Sequence, residues 1–552
     1  MRHAGALVLV LTLVVLSVWP ATGWQPHSLL GDPQQEAGEH LWALWAATLD
    51  GPLHIQTTRV GWPVGHSWVL ADPLSLPAFT LGHGIFGMGL TAVHVQWLLV
   101  AALGAAAWAR QLGTPPVWAA ALAITLSPVN SPVVTGITDA AGFGLTLLAL
   151  LQLHTIDEGP RGRGILGAGL LIGATAWAGP YPALYTLLMA PLVVWAPVQR
   201  HGVRAVGRLL GAGLLSLLVA APVLWATTTL RDAALPGSIN VLGDVLHDPA
   251  APRALLLGLD PVGLVFPTAG LDWAHGGHLG LPLIAMALLG GIHQWRTRPP
   301  PWVRQTTLTV LTLAGVALVL SLGFHLKLND APATWSGHVI GLPARFLSEA
   351  LPVLGRAPRW YRMATVAGLA LAALAAGAAP SIAALLRRWG VPSPLSAGLS
   401  ALVLILVSLA PLRSSPLPWP RPATLIEMPP LLDTLPLPGP LTLFPRAAGK
   451  HDGRAIRLIW QTQHGHPMVA NPHAQRPPRN PAAEASQLLE TAARHGDLDR
   501  ARAALSRLQA LGVVWVVVLP SPDTAALQAT LTAVRGPPRT EDGESCAWTT
   551  EP

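Results

Sequence analysis

The chain is poor in cysteine and poor in charge. Of its 552 residues one, Cys546, is a cysteine, so neither an intrachain disulfide nor a cysteine-based metal site can form. Charged residues make up 11% against 51% hydrophobic, where a soluble domain carries about 25% charged. That balance excludes an ordinary soluble enzyme and predicts an integral membrane protein, in line with a mean hydropathy of +0.47. The formal net charge of +7 is then no sign of nucleic-acid binding. Basic residues in such a chain are read by position, against the positive-inside rule.

Familiar motifs are missing as well. The sequence has no GxxxxGK[ST] loop, no dinucleotide fingerprint, no HExxH and no GxSxG. The apolar runs hold His83 and His94 at or in the second run but no Asp/Glu relay of the kind proton-coupled transporters use. What is abundant is Gly and Pro, 54 of each, which fits kinked membrane helices and re-entrant loops. Trp, at 22, far outnumbers Tyr (3) and Phe (7). Many of these Trp lie near the ends of the runs, where an indole suits the interface.

The apolar runs predict an all-α polytopic protein with about eleven spans of roughly 15–25 residues. They fall near 4–22, 86–108, 115–129, 139–154, 164–179, 181–198, 207–228, 279–294, 306–323, 363–386 and 395–412. The first, behind only Arg2 and His3, reads as an uncleaved span, with a cleaved signal as the alternative. With the N-terminus inside, the inner loops carry Arg110; Arg161 and Arg163; Arg200, Arg204 and Arg208; Arg296, Arg298 and Arg304; and Arg387 and Arg388. The outer connections at 130–138 and near 180 carry none, which supports both the count and the orientation.

This layout puts a transmembrane domain at 1–412, with long outer loops at 23–85, 229–278 and 324–362, and a C-terminal domain at 413–552 on the outer face. The tail is polar and Pro-rich to about 480. Then "AAEASQLLETAARHGDLDRARAALSRLQAL" has helical apolar spacing, "GVVWVVVLP" reads as a buried strand, and "TAALQATLTAV" as a second helix. A small α/β domain is expected there.

The chemistry candidates lie in the outer loops. In "GDPQQEAGEHLW" Asp32-Pro33 is a good helix start, with Gln35 placed as in a capping box. On the helix that follows, Leu41, Trp42, Trp45 and Leu49 share one face, and Glu36, Glu39 and His40 the other. The pattern predicts an interfacial amphipathic helix with Trp anchors. A capping Asp32, or a neighbouring Glu such as Glu36, can equally act as a general base for an acceptor hydroxyl. "GWPVGHSWVLADPLSLP" adds a Gly/Pro turn, His66, and Asp72 as an N-cap or second acid.

"LPVLGRAPRWYRM" clusters Arg356, Arg359 and Arg362 on the outside, against the positive-inside trend. Spacings of three put them on one face if the segment is helical. Arg forks match phosphate oxygens, so a phosphorylated lipid head group is one partner and ordinary anionic lipid the other. "AWAGPYPALY" is a Gly/Pro-broken hairpin with Tyr181 and Tyr185 near the outer surface. His275 and His278 are a weak metal signal, and His464 and His466 in the tail pair with no nucleophile.

Taken in order, these motifs resemble the GT-C superfamily of polytopic membrane glycosyltransferases. The carriers are "GDPQQEAGEHLWALW" after the first span, "GWPVG" before the second, "AALAITLSPVNSP" at the end of the third, "WAGPYPALY", "LPVLGRAPRWYRM" before the tenth, and the tail "LQALGVVWVVVLP". The resemblance implies a GT-C-like fold and inverting transfer from a polyprenyl-phosphate sugar donor on the outer face of the cytoplasmic membrane. The acceptor, whether glycan, lipid or protein, is left open. It implies Asp32 as the first-loop acid, with Glu36 and Asp72 as further acids. It implies Arg356 and Arg359 as ligands of the donor phosphate; Arg362, His66 and Tyr181 are expected beside them as further substrate contacts. No cofactor is implied beyond, at most, a divalent cation. The sequence departs from the family in one place: Pro33 stands where an acidic pair is common. The rival expectation is a non-catalytic membrane protein that binds or transports lipid-linked glycans.

Overall fold

A helix stands at every one of the apolar runs, from Arg2–Ser17 to Ser393–Ser414. The structure, a computed structural model, describes residues 2–26, 28–31, 37–54, 56–67, 70, 72–138, 141–158, 160–233, 258–266, 277–297, 299–329, 331–351, 354, 359–414, 419–425, 427–436, 438–445, 454–470, 480–521, 524–543 and 545–551. Among these, 5 helices are long and apolar enough to cross a membrane: Gly89–Gln111, Pro180–His201, Val203–Thr229, Pro301–Ser321 and Trp360–Arg388. The pair Pro116–Thr125 and Ser127–Thr135, bent by 41°, raises this to 6 if it counts as one span. The chain is thus a mostly helical membrane protein.

Two compact units form. The first comprises Met1–Pro26, Ala71–Leu224 and Gly237–Ala423. Its centre is the helix Met363–Ala375, every residue of which is buried. A helix apolar all round belongs in a core. Here it is surrounded by the helices Gly89–Gln111, Pro116–Thr125, Leu281–Arg296 and Pro301–Ser321.

The bend after Thr125 exposes backbone groups that need partners inside an apolar core. Asn130 supplies them, its amide donating to the carbonyls of Ile124 (2.6 Å) and Leu126 (3.0 Å). Arg421, 1% exposed, reaches the same place. It donates to Asn130 Oδ1 at 3.0 Å and to the Ser17 carbonyl at 2.7 Å. One buried guanidinium thus ties the end of the first helix to the bend.

The second unit comprises His27–Leu70, Trp225–Pro236 and Thr424–Pro552. Its sheet runs in the order Thr540–Asp542, Ser545–Thr549, Trp515–Val518, Leu441–Phe444. Trp515–Val518 is the strand expected from "GVVWVVVLP", and all of it is buried. It pairs parallel with Leu441–Phe444 and antiparallel with Ser545–Thr549. The single helical stretch expected before it divides in two, Pro481–His495 and Leu498–Ala510. Asp497, whose carboxylate accepts from the Arg500 N–H at 3.0 Å, caps the second piece.

The amphipathic helix of the first loop is present as Ala37–Asp50, but its Trp anchors do not face lipid. It packs on the tail helix Arg454–His464. Trp42 is fully buried, and Trp45 and Leu41 are buried with it. The Trp42 indole donates to Gln461 Oε1 at 2.7 Å. Burial of one Trp side chain contributes about 4–6 kcal/mol as an upper estimate. The apolar face was there to be read; its cover is protein rather than a bilayer surface.

Candidate functional site

The helical hairpin at "AWAGPYPALY" is set by Gly179. Its φ of +139° and ψ of 164° lie where side-chain-bearing residues rarely go. The chain breaks there between Arg161–Ala178 and Pro180–His201. Tyr181 and Tyr185, one turn apart, then share a face of the second helix, with ring centroids 5.9 Å apart. Gly142 lets the next helix come close, since a Cβ there would lie 2.9 Å from the Ala178 Cβ. Phe143 therefore stacks on Tyr185 at 5.8 Å.

Onto these rings comes the arginine segment. Trp360–Arg362 is a single 3₁₀ turn that leads into the buried helix Met363–Ala375, with Arg359 just before it, so no α-helix spans Arg359 and Arg362. Trp360 stacks on Tyr185 at 5.9 Å, and the Tyr185 hydroxyl donates to the Arg359 carbonyl at 2.8 Å. The Arg362 guanidinium lies 4.3 Å above the Tyr181 ring, a cation–π contact, and Arg362 is only 3% exposed. Arg359 is half-buried.

The electrostatics of this turn are unusual. A cation at a helix N-terminus is opposed by the helix dipole, which favours negative charge there. Two arginines at the head of a buried helix carry charge of the same sign as that end of its dipole. An anion at this turn would meet the guanidinium groups and the positive end of the helix dipole in the same sense.

Asp72 heads a separate 3₁₀ turn, Pro73–Ser75, and is fully buried. Its carboxylate does not cap that turn; its backbone carbonyl accepts from the Ser75 N–H at 2.9 Å. The turn is held by the helix Gly89–Gln111: Gln96 donates to the Leu74 carbonyl at 3.1 Å and the Trp97 indole to Ser75 Oγ at 2.9 Å. His94 lies on the same helix one turn earlier and is also buried. His66 belongs to the second unit, in a two-stranded pairing with Thr57. Asp32, Glu36, Arg356 and His275 lie outside the described residues.

The structure thus brings together Tyr181 and Arg362, far apart in sequence, and adds Tyr185, Trp360 and Phe143 around them. The carbonyl bond from Tyr185 had one signal in the sequence, its i, i+4 spacing from Tyr181. His278 makes a bond to the Gly263 carbonyl at 3.2 Å, and its burial lowers its pKa, keeping the ring neutral. Among the described residues no group of three or more His, Cys, Asp or Glu is placed to hold a metal.

No protein-family model and no curated protein sequence matches the chain. Solved structures do. The mycobacterial arabinofuranosyltransferase AftD matches at 15% identity with a TM-score of 0.52, covering 94% of this chain and 35% of AftD. The chain spans about a third of the length of that protein. ArnT from Cupriavidus metallidurans matches at 14% identity in the apo state, TM-score 0.39, and at 12% bound to undecaprenyl phosphate, TM-score 0.37. Both ArnT matches cover 100% of this chain and 98% of ArnT. The AftD match, nearly complete over this chain, defines the fold. The chain shares the fold of the matched part of AftD.

Proposed function

We propose that the protein is a membrane glycosyltransferase that moves a sugar from a polyprenyl-phosphate donor to an acceptor on the outer face of the cytoplasmic membrane. The observation that carries this is the fold shared with AftD over 94% of the chain. About eleven spans, the N-terminus inside and the tail domain outside complete the proposal, supported by the Arg pattern of the loops.

Arg359 meets the donor phosphate, and Arg362, buried on Tyr181, supplies a fixed positive charge behind it. The head of the helix Met363–Ala375 adds its dipole. In the transfer, the acceptor oxygen attacks the anomeric carbon and the bond from that carbon to the phosphate oxygen breaks. The configuration inverts, and the polyprenyl phosphate leaves with the bonding pair. The arginines stabilise the negative charge that grows on it. Asp32 takes the acceptor proton as general base, with Asp72 and Glu36 as further acids of the site.

Asp32→Asn tests the chemistry, because Asn caps a helix about as well as Asp but cannot take a proton. The expected result is glycan product reduced by about 10²–10⁴-fold with donor binding intact. Product at wild-type level in the Asn variant removes Asp32 from the base role. A wild-type protein that binds polyprenyl phosphate and turns over no donor replaces the enzyme reading with that of a lipid-carrier binding protein.

A further inference from the structure

The Trp360 side chain is fully buried, and its indole N–H meets no acceptor among the described residues. A buried donor left in that state costs about 1–3 kcal/mol. The turn therefore holds a polar group that an incoming oxygen would satisfy. The same turn is held by two side chains of the hairpin helix. The Tyr185 hydroxyl bonds the Arg359 carbonyl, its ring stacks on Trp360, and Tyr181, beside it, carries the Arg362 guanidinium.

We propose that Tyr185 is a positioning residue for an anionic phosphate site: it holds the Arg359–Arg362 turn in the form that receives the phosphate of a polyprenyl lipid. This rests on the reading of that turn as the donor-phosphate site. Arg359 has φ −78° and ψ 60°, and the peptide that follows it is fixed where its carbonyl meets Tyr185. The same carbonyl accepts from the Arg362 N–H at 3.2 Å; without the hydroxyl the peptide keeps that bond alone, and the two arginines are held less firmly relative to one another. Preorganisation of this kind raises affinity by removing the cost of ordering the site on binding.

The test uses the full chain in lipid nanodiscs, as wild type and as Tyr185→Phe. Phe keeps the stacking on Trp360 and Phe143 and removes only the hydroxyl. Affinities are measured for a polyprenyl phosphate and for the polyprenyl alcohol of the same length. Loss of one hydrogen bond predicts that the variant's preference for phosphate over alcohol falls about fivefold to tenfold, with alcohol affinity unchanged. The ratio is insensitive to a general loss of stability, which would weaken both lipids alike. A wild type that prefers phosphate and a variant that keeps the full preference overturn the positioning role alone. A wild type without any preference overturns the phosphate reading of the turn, and the role of Tyr185 with it.

Discussion

The guanidinium of Arg421 donates to the carbonyl of Ser17 at 2.7 Å, across 404 residues of sequence. The same group reaches Asn130, which in turn satisfies the bend after Thr125. Burial depresses the Arg421 pKa to about 10, still far above neutral pH, so the group stays charged in this setting. Hydrogen bonds from a charged donor contribute about 1.5–3 kcal/mol each. Arg421→Met is expected to destabilise the protein by about 2–4 kcal/mol, read as a lowered thermal unfolding midpoint of the full chain in detergent. Arg421→Lys should recover only part of this, since an ammonium lacks the planar fork that spans two acceptors. A Met variant as stable as wild type would mean that the two bonds contribute nothing net.

Close helix approach gives a second prediction. A Cβ on Gly290 would sit 2.0 Å from the carbonyl oxygen of Leu374, whereas one on Gly291 would meet nothing within 4 Å. Backbone cannot yield as a side chain can, so Gly290→Ala must part the helices Leu281–Arg296 and Met363–Ala375. The expected cost is about 1–3 kcal/mol. Gly291→Ala, next to it, should be neutral or stabilising by up to about 1 kcal/mol through helix propensity. Thermal unfolding of the two variants side by side checks this; equal behaviour would contradict the close packing.

His464 makes the tail sensitive to acid. Burial, and after it the neighbouring His466, lowers its pKa from 6.5 to about 3, and its Nδ1 accepts from the His466 N–H at 3.0 Å. Above pH 6.5 the ring is neutral whether folded or not, and nothing is lost. Below that the unfolded chain takes up a proton that the folded one refuses, so stability falls as pH drops toward 3, by a few kcal/mol. Hydrogen-exchange protection factors across 454–470, taken relative to the intrinsic rate at each pH, should fall between pH 7 and pH 4. His464→Gln should flatten that part of the pH dependence; an unchanged slope would assign it to other groups.

The helices were legible in the sequence because a 3.6-residue period and an apolar run are local properties, and so was the buried strand at Trp515–Val518. Partnership was not. The period of Ala37–Asp50 reports an apolar face but not what covers it, and the answer, Gln461 and its helix, lies 419 residues away. Arg421 sits in the Pro-rich "PLPWPRPA", where nothing nearby marks it for burial. The arginine spacing suggested one helical face because a spacing of three suits a helix, yet the turn that formed is 3₁₀. Tyr181 and Arg362 were each visible as polar residues in apolar company. That one carries the other is a tertiary fact, set by the hairpin at Gly179 and the approach allowed by Gly142.

The bond between Trp42 and Gln461 also orders events in time. Chains are synthesised at about 5–20 residues per second, so a separation of 419 residues corresponds to a delay of about 20–80 s. For that interval the helix Ala37–Asp50 exists without the partner that buries its Trp face. The second unit cannot close until its last segment, Thr424–Pro552, is made, and whatever shelters Trp42 meanwhile, bilayer surface or chaperone, must give way to the tail helix when it arrives.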